Sequence, residues 1–349
     1  MMKEFTKNRI ILFFVSWILG YGFYCLAIPI PYVMGGIVGA FVAKTFVDKD
    51  TKWPALWRNL MMCVAGYEIG RSCTLETVID IIDEVGGVLI ATISIIIVSI
   101  LASIWIYKRS NSNLISCVMG CSPGGMSLMT VLAEEDKRAD MNLVVVGQSL
   151  RLFCVVASVH FLAMQMLEDP SAAVTIPTQD AWPWPILIPI CVVGYLFGKK
   201  FKLPSKQLLG PILFAALFSV LVHPTESAPR LLMIVTQLNI GLYIGSQLEK
   251  DRLMALGSTM PHLVLTNAVM IGVNVAMAVF LSNVYGFSLI TAFLAMAPGG
   301  IAEMCIAGLA MGADVPIILA YQLFRLLTIN FLSPYLINWY FKDSAEENS

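Results

Sequence analysis

Two matched Pro-Gly-Gly runs and two arginines carry most of the chemistry this sequence can offer. Cys121-Ser-Pro-Gly-Gly-Met126 recurs as Met296-Ala-Pro-Gly-Gly-Ile301, each near the middle of an apolar segment. Proline removes a backbone donor and glycine is a poor helix residue, so a continuous helix is disfavoured through Pro123, Gly124 and Gly125 and through Pro298, Gly299 and Gly300. A new helical arm that starts there presents unpaired N–H groups and partial positive charge. Two such ends meeting from opposite faces would make a site for an anion. The plainer reading is packing, because glycine lets helices approach closely. Two mid-segment copies tilt the reading toward function.

Arg151 and Arg325 each follow a glutamine at the same spacing, Gln148-x-x-Arg151 and Gln322-x-x-Arg325. That spacing puts Gln and Arg on one helical face. Both arginines lie well inside long apolar stretches, where a charge costs about 2.5–3.5 kcal/mol on insertion scales and faces a partner or a cavity. A guanidinium fork matches a carboxylate bidentately, so the pair could clamp an anionic solute. Equally, each arginine could cap the carbonyl end of a broken helix and only hold it in place. Glu303 follows the second glycine run, and its counterpart is the apolar Leu128. A carboxylate at that depth suits proton or sodium coupling, or else a salt bridge to Arg325 or Arg151. Asp140 and Asp314 precede long apolar stretches and read most simply as helix N-caps. For Glu68 and Tyr243, beside Gly66-x-x-x-Gly70 and Gly241-x-x-x-Gly245, helix packing outweighs ligand contact.

These residues sit in an internal duplication. The Pro-Gly-Gly runs, the Gly-x-x-x-Gly pairs, and Pro29 with Gly35 against Pro204 with Gly210 are all offset by 175 positions. Ala139-Asp140 with Ala313-Asp314, and the Gln-x-x-Arg pairs, are offset by 174. The halves are residues 1–174 and 175–349, joined near Thr175 in the acidic stretch Leu167–Trp184. Each half shows six hydrophobic segments, about 9–28, 31–46, 54–70, 85–107, 113–135 and 140–166, then 183–198, 205–222, 230–248, 261–282, 287–311 and 314–340.

The medium for these segments is lipid. Of 349 residues 58% are hydrophobic and 13% charged, against roughly 25% charged in an average soluble domain. Val85–Tyr107, Leu143–Met166 and Leu263–Leu281 are long enough to span a bilayer. The opening segment, basic and then apolar without a small-residue cleavage site, reads as a first transmembrane helix. The eight cysteines show neither C-x-x-C nor paired loop spacing, so disulfides, a metal site and other cofactors are not expected. No basic patch interleaved with aromatics points to nucleic acid.

If the fifth segment of each half is re-entrant and the N-terminus cytoplasmic, every basic residue except Arg71, Arg151, Arg230 and Arg325 falls on the cytoplasmic side. Crossing fifth segments would put Lys137, Arg138 and the 199–206 cluster outside. The expected fold is therefore an all-α polytopic membrane protein of two inverted repeats, each with five crossings and a re-entrant Pro-Gly-Gly hairpin. Both termini are expected to be cytoplasmic, in the cell (inner) membrane.

The duplicated S/A-P-G-G run, followed by Ala-Asp and then Gln-x-x-Arg, resembles the AbrB-type membrane protein family over nearly the whole chain. Members carry labels of regulator or ammonia monooxygenase. The likeness also implies a distant relation to transporters of the bile-acid-symporter and cation/proton-antiporter types. Inverted repeats with broken helices bind substrate at the midplane. The function expected is a secondary transporter, not an enzyme, for a small anionic, carboxylate-bearing solute. Its partners are that solute and the bilayer, and self-association stays open. The alternative is a membrane-embedded regulator or sensor. A copper monooxygenase fits least, since His160, His223 and His262 share no ligand spacing. Single cysteines placed at 137 and 312 in a cysteine-free background should label from the cytoplasmic and external sides respectively; labelling of both from one side would sink the inversion.

Overall fold

A computed structural model describes residues 2–46, 51, 53–74, 84–110, 112–136, 138–166, 184–222 and 225–341. The junction stretch 167–183 and Lys49, Lys52, His223, Lys137 and Lys342 lie outside the described residues. Among the described residues the chain is helical with no strand. The first half gives α1 (Met2–Cys25), α2 (Pro31–Phe46), α3 (Ala55–Arg71), α4 (Val85–Arg109), α5 (Leu114–Cys121), α6 (Met126–Glu135) and α7 (Met141–Met166). The second gives α8 (Trp184–Lys200), α9 (Lys206–Leu221), α10 (Arg230–Gln247), α11 (Lys250–Ala255), α12 (Thr259–Tyr285), α13 (Leu289–Met296), α14 (Ile301–Ala310) and α15 (Val315–Phe341). Helices break at both Pro-Gly-Gly runs, as the residue types require. The short α11 has no forerunner in the sequence reading. Among the described residues six segments are long and apolar enough to cross a membrane: 8–25, 85–109, 141–162, 230–255, 259–285 and 315–332. Their outward faces carry large apolar side chains such as Phe14, Leu101 and Val269, which suits a lipid surround.

The helices sort into two bundles, and each bundle draws from both halves. α1, α2 and α3 pack with α8, α9 and α10, while α4 to α7 pack with α11 to α15. The two bundles meet where α3 touches α14 and α15, and where α10 and α2 touch α7.

Glycine sets the closeness of the first bundle. A Cβ on Gly241 would overlap the Val33 carbonyl of α2, and one on Gly245 the Ile37 carbonyl. The matched glycines Gly66 and Gly70 of α3 meet the Leu208 and Ile212 carbonyls of α9 in the same way. Partner numbers rise together in both cases, so α2 runs parallel to α10 and α3 parallel to α9. Along α3 and α10 they move oppositely. Trp53 donates to Asn239 at 2.9 Å, Thr236 to the Met61 sulfur at 3.5 Å, and Tyr67 to the Glu226 carbonyl at 2.7 Å. α3 and α10, counterparts in the duplication, are thus antiparallel, and Met61 and Thr236 are themselves 175 apart.

The duplication reaches the backbone. Ala27 and Ile30 before α2, and Lys202 and Ser205 before α9, all hold positive φ of 46–54°. Such φ values are uncommon for non-glycine residues and costly for a β-branched one, so matched turns are being held by their surroundings. The last carbonyls of α10 and α3 are capped by matched positions too. Lys44 donates to the Ser246 carbonyl at 2.9 Å and pairs with Glu249 at 3.1 Å, while Ser219 donates to the Arg71 carbonyl at 3.2 Å. Glu68 accepts from Arg71 at 2.7 Å and from the Ala228 amide, which ties α3 to the start of α10.

Gly241→Ala should lower stability by about 1–3 kcal/mol through overpacking, despite alanine's better helix propensity. Gly272→Ala, with nothing within 4 Å of the new Cβ, should raise it or leave it alone. Thermal unfolding in one detergent compares them, and an unaffected Gly241→Ala would contradict the close approach.

Candidate functional site

The two broken helices are built alike. α5 ends at Cys121 and α6 starts after Gly125; α13 ends at Met296 and α14 starts after Gly300. The start of each first arm is tied to the residues just beyond the second. Asn113 donates to the Arg138 carbonyl and Ser116 accepts from the Asp140 amide at 2.7 Å. Thr291 likewise accepts from the Asp314 amide at 3.0 Å. Asp140 then accepts from the Asn142 amide at 2.9 Å, and Asp314 from the Ile317 amide at 3.4 Å, as helix caps do.

A helix that stops in an apolar setting leaves its last carbonyls unpaired. Gln148 and Arg151 on α7, and Gln322 and Arg325 on α15, supply the missing donors. Gln148 donates to the Met119 and Ser122 carbonyls at 2.6 and 2.9 Å. Arg151 donates to the Ser122 carbonyl through Nη1, and to Gly124 through Nη2 at 3.2 Å. In the second half Gln322 reaches Leu294 at 2.8 Å and Ala297 at 2.9 Å. Arg325 reaches Met296 at 3.1 Å, Ala297 at 2.7 Å and Gly299 at 3.0 Å. Of the two sequence readings, geometry realises the capping one. Each fork joins the carbonyls before and within a tip. Both Nε atoms lack a partner, although Arg151 and Arg325 are only 3% and 5% exposed.

The tips converge on a cavity of about 160 Å³ between the bundles. Pro123, Gly124, Gly125, Arg151, Gly299, Gly300, Gln322, Arg325 and Glu303 border it, whereas Pro298 and Gln148 do not. Glu303 lies in the first turn of α14, folded back so that a Cβ on Gly300 would overlap its carboxylate. The sequence reading of a salt bridge to Arg151 or Arg325 is not realised: among the described residues Glu303 forms no ion pair.

The first bundle supplies the opposite wall, which sequence reasoning missed. Arg58 of α3 stacks on the Tyr243 ring of α10 at 4.4 Å, and both border the cavity with Ser205 and Gln207. From sequence Arg58 counted only as a cytoplasmic-side charge. The one available signal was its lack of a matched charge, since position 233 is methionine.

Helices throughout the described residues, with several apolar spans among them, mark a multi-pass membrane protein. The chain belongs to the AbrB family: the family model described as "Transition state regulatory protein AbrB" matches residues 32–341. It is similar to "Uncharacterized protein YhjN" of Bacillus subtilis (strain 168), 27% identical over 298 residues, covering 80% of this chain and 77% of the relative. It is also similar to "Putative regulator AbrB" of Escherichia coli (strain K12), 29% identical over 221 residues, covering 62% of this chain and 63% of that one.

Arg325→Lys should cost about 3 kcal/mol of stability, because one ammonium cannot reach all three carbonyls and those left buried without a donor are costly. Thermal unfolding measures it. An unchanged midpoint with lost solute binding would instead return the fork to the solute.

Proposed function

We propose that the protein is a secondary transporter of a small anionic, carboxylate-bearing solute, bound between the two bundles and coupled to a proton or sodium ion through Glu303. The carrying observation is the cavity itself, where two broken-helix tips and one carboxylate meet a second wall bearing Arg58. Helix starts and guanidinium groups favour an anion there. The ties from Asn113 to Arg138 and from Thr291 to Asp314 bring both ends of each broken helix to one side, which supports re-entrant hairpins. The antiparallel run of α3 and α10 supports inverted repeats of residues 1–174 and 175–349. α2, α3, α8 and α9, of 16 or 17 residues each, join the six longer spans to make ten crossings with cytoplasmic termini in this reading.

A second reading is a membrane-embedded regulator without transport, favoured by the printed names of the family model and of the Escherichia coli relative. Reconstitution separates them. Proteoliposomes should take up one or more of a panel of labelled carboxylates and amino acids, and a panel that yields no uptake favours the regulator.

Within the transporter reading, the solute competes with Glu303 for the cavity's positive charge and so draws in the coupling ion. Glu303→Gln should still bind and exchange solute across the vesicle membrane but fail to concentrate it. Concentrative uptake at the parent's rate would move coupling elsewhere.

A further inference from the structure

The two tips match in backbone and differ in one respect that bears on ligand size and charge. At the second tip the first turn of α14 is already occupied by a carboxylate, because Glu303 folds over Gly300 where a Cβ would stand. A glutamate three residues past the N-cap is the position from which a side chain reaches back to a helix start. At the first tip the matched residue is Leu128, which turns away to an apolar cluster with Met119 and Met129. A Cβ on Gly125 would meet only the Leu326 side chain, at 3.7 Å. Beside this open place stands Arg151, 3% exposed, holding the Gly124 carbonyl and carrying an Nε without a partner.

The geometry points to the start of α6, at Gly125 beside Arg151, as the seat for a single carboxylate of the solute, with Glu303 filling the equivalent seat on α14 from within. The protein's own side chain thus shows the chemistry the empty seat takes: a monoanionic carboxylate, with α6 supplying N–H groups and positive charge. Arg58 on the facing wall adds a cation that Tyr243 holds in place. One open seat means one carboxylate per protein, and solutes with two or three find no second place. This rests on the cavity being the solute site, and the test separates the two ideas.

Calorimetry on the purified full chain, with acetate, pyruvate, lactate and benzoate against malate and citrate, should find a monocarboxylate bound at one per chain and favoured at least tenfold over the others. Leu128→Glu places a tethered carboxylate at the first tip and should weaken that binding at least tenfold, while Leu128→Met stays within about threefold. The double exchange Leu128→Glu with Glu303→Leu moves the open seat to the second hairpin and should restore binding to within about tenfold of the parent, which a folding defect at position 128 would not do. The seat is overturned if Leu128→Glu binds as the parent does, if the double exchange stays silent, or if no monocarboxylate binds. Monocarboxylate binding that obeys these changes without movement into vesicles would sink transport and leave the seat standing. Uptake untouched by Leu128→Glu would do the reverse.

Discussion

A helix that ends inside an apolar layer must find donors for its last carbonyls, and the rest of this structure follows from how that is met. Each unmet group in such a setting costs several kcal/mol. Here each break is served by one guanidinium and one amide, three residues apart on the neighbouring long helix. The arginine's own burial is offset by the same bonds, so break and arginine stabilise each other. The arrangement fixes the tips against α7 and α15 and frees the starts of α6 and α14 to face a cavity.

The first bundle obeys a different constraint. Its helices approach through glycines that meet carbonyl oxygens, and the contacts of α2 with α10 repeat in those of α3 with α9. Small residues allow such closeness where lipid gives no hydrophobic drive between helices. A bundle locked by backbone contact stands against one built around broken helices. The cavity lies where they meet, so any solute bound there touches both.

Three departures from the duplication lie at that cavity. Arg58, Tyr243 and Glu303 have methionine, glutamate and leucine as counterparts. Residues that hold the fold, the glycines, the capping aspartates and the Gln-x-x-Arg pairs, are kept in both halves. Repetition builds each wall from both halves, and the unmatched residues are where those halves differ at the cavity.

The sequence by itself determined the helical membrane class, the family, the positions of both breaks, the capping aspartates and that two arginines lie within apolar helices. Each rests on a property of residue type or on periodicity: proline cannot continue a helix, apolar runs cannot face water, and a repeat shows its own offset. Tertiary structure decided what the arginines hold, that Glu303 lies free of both, that Arg58 and Tyr243 reach the cavity, and that each bundle mixes the halves. Spacing along a helix gives a side chain's face and depth. Its partner comes from another part of the chain, near as with Arg151 on Ser122 or far as with Arg58 on Tyr243, and that depends on how closely the backbones approach.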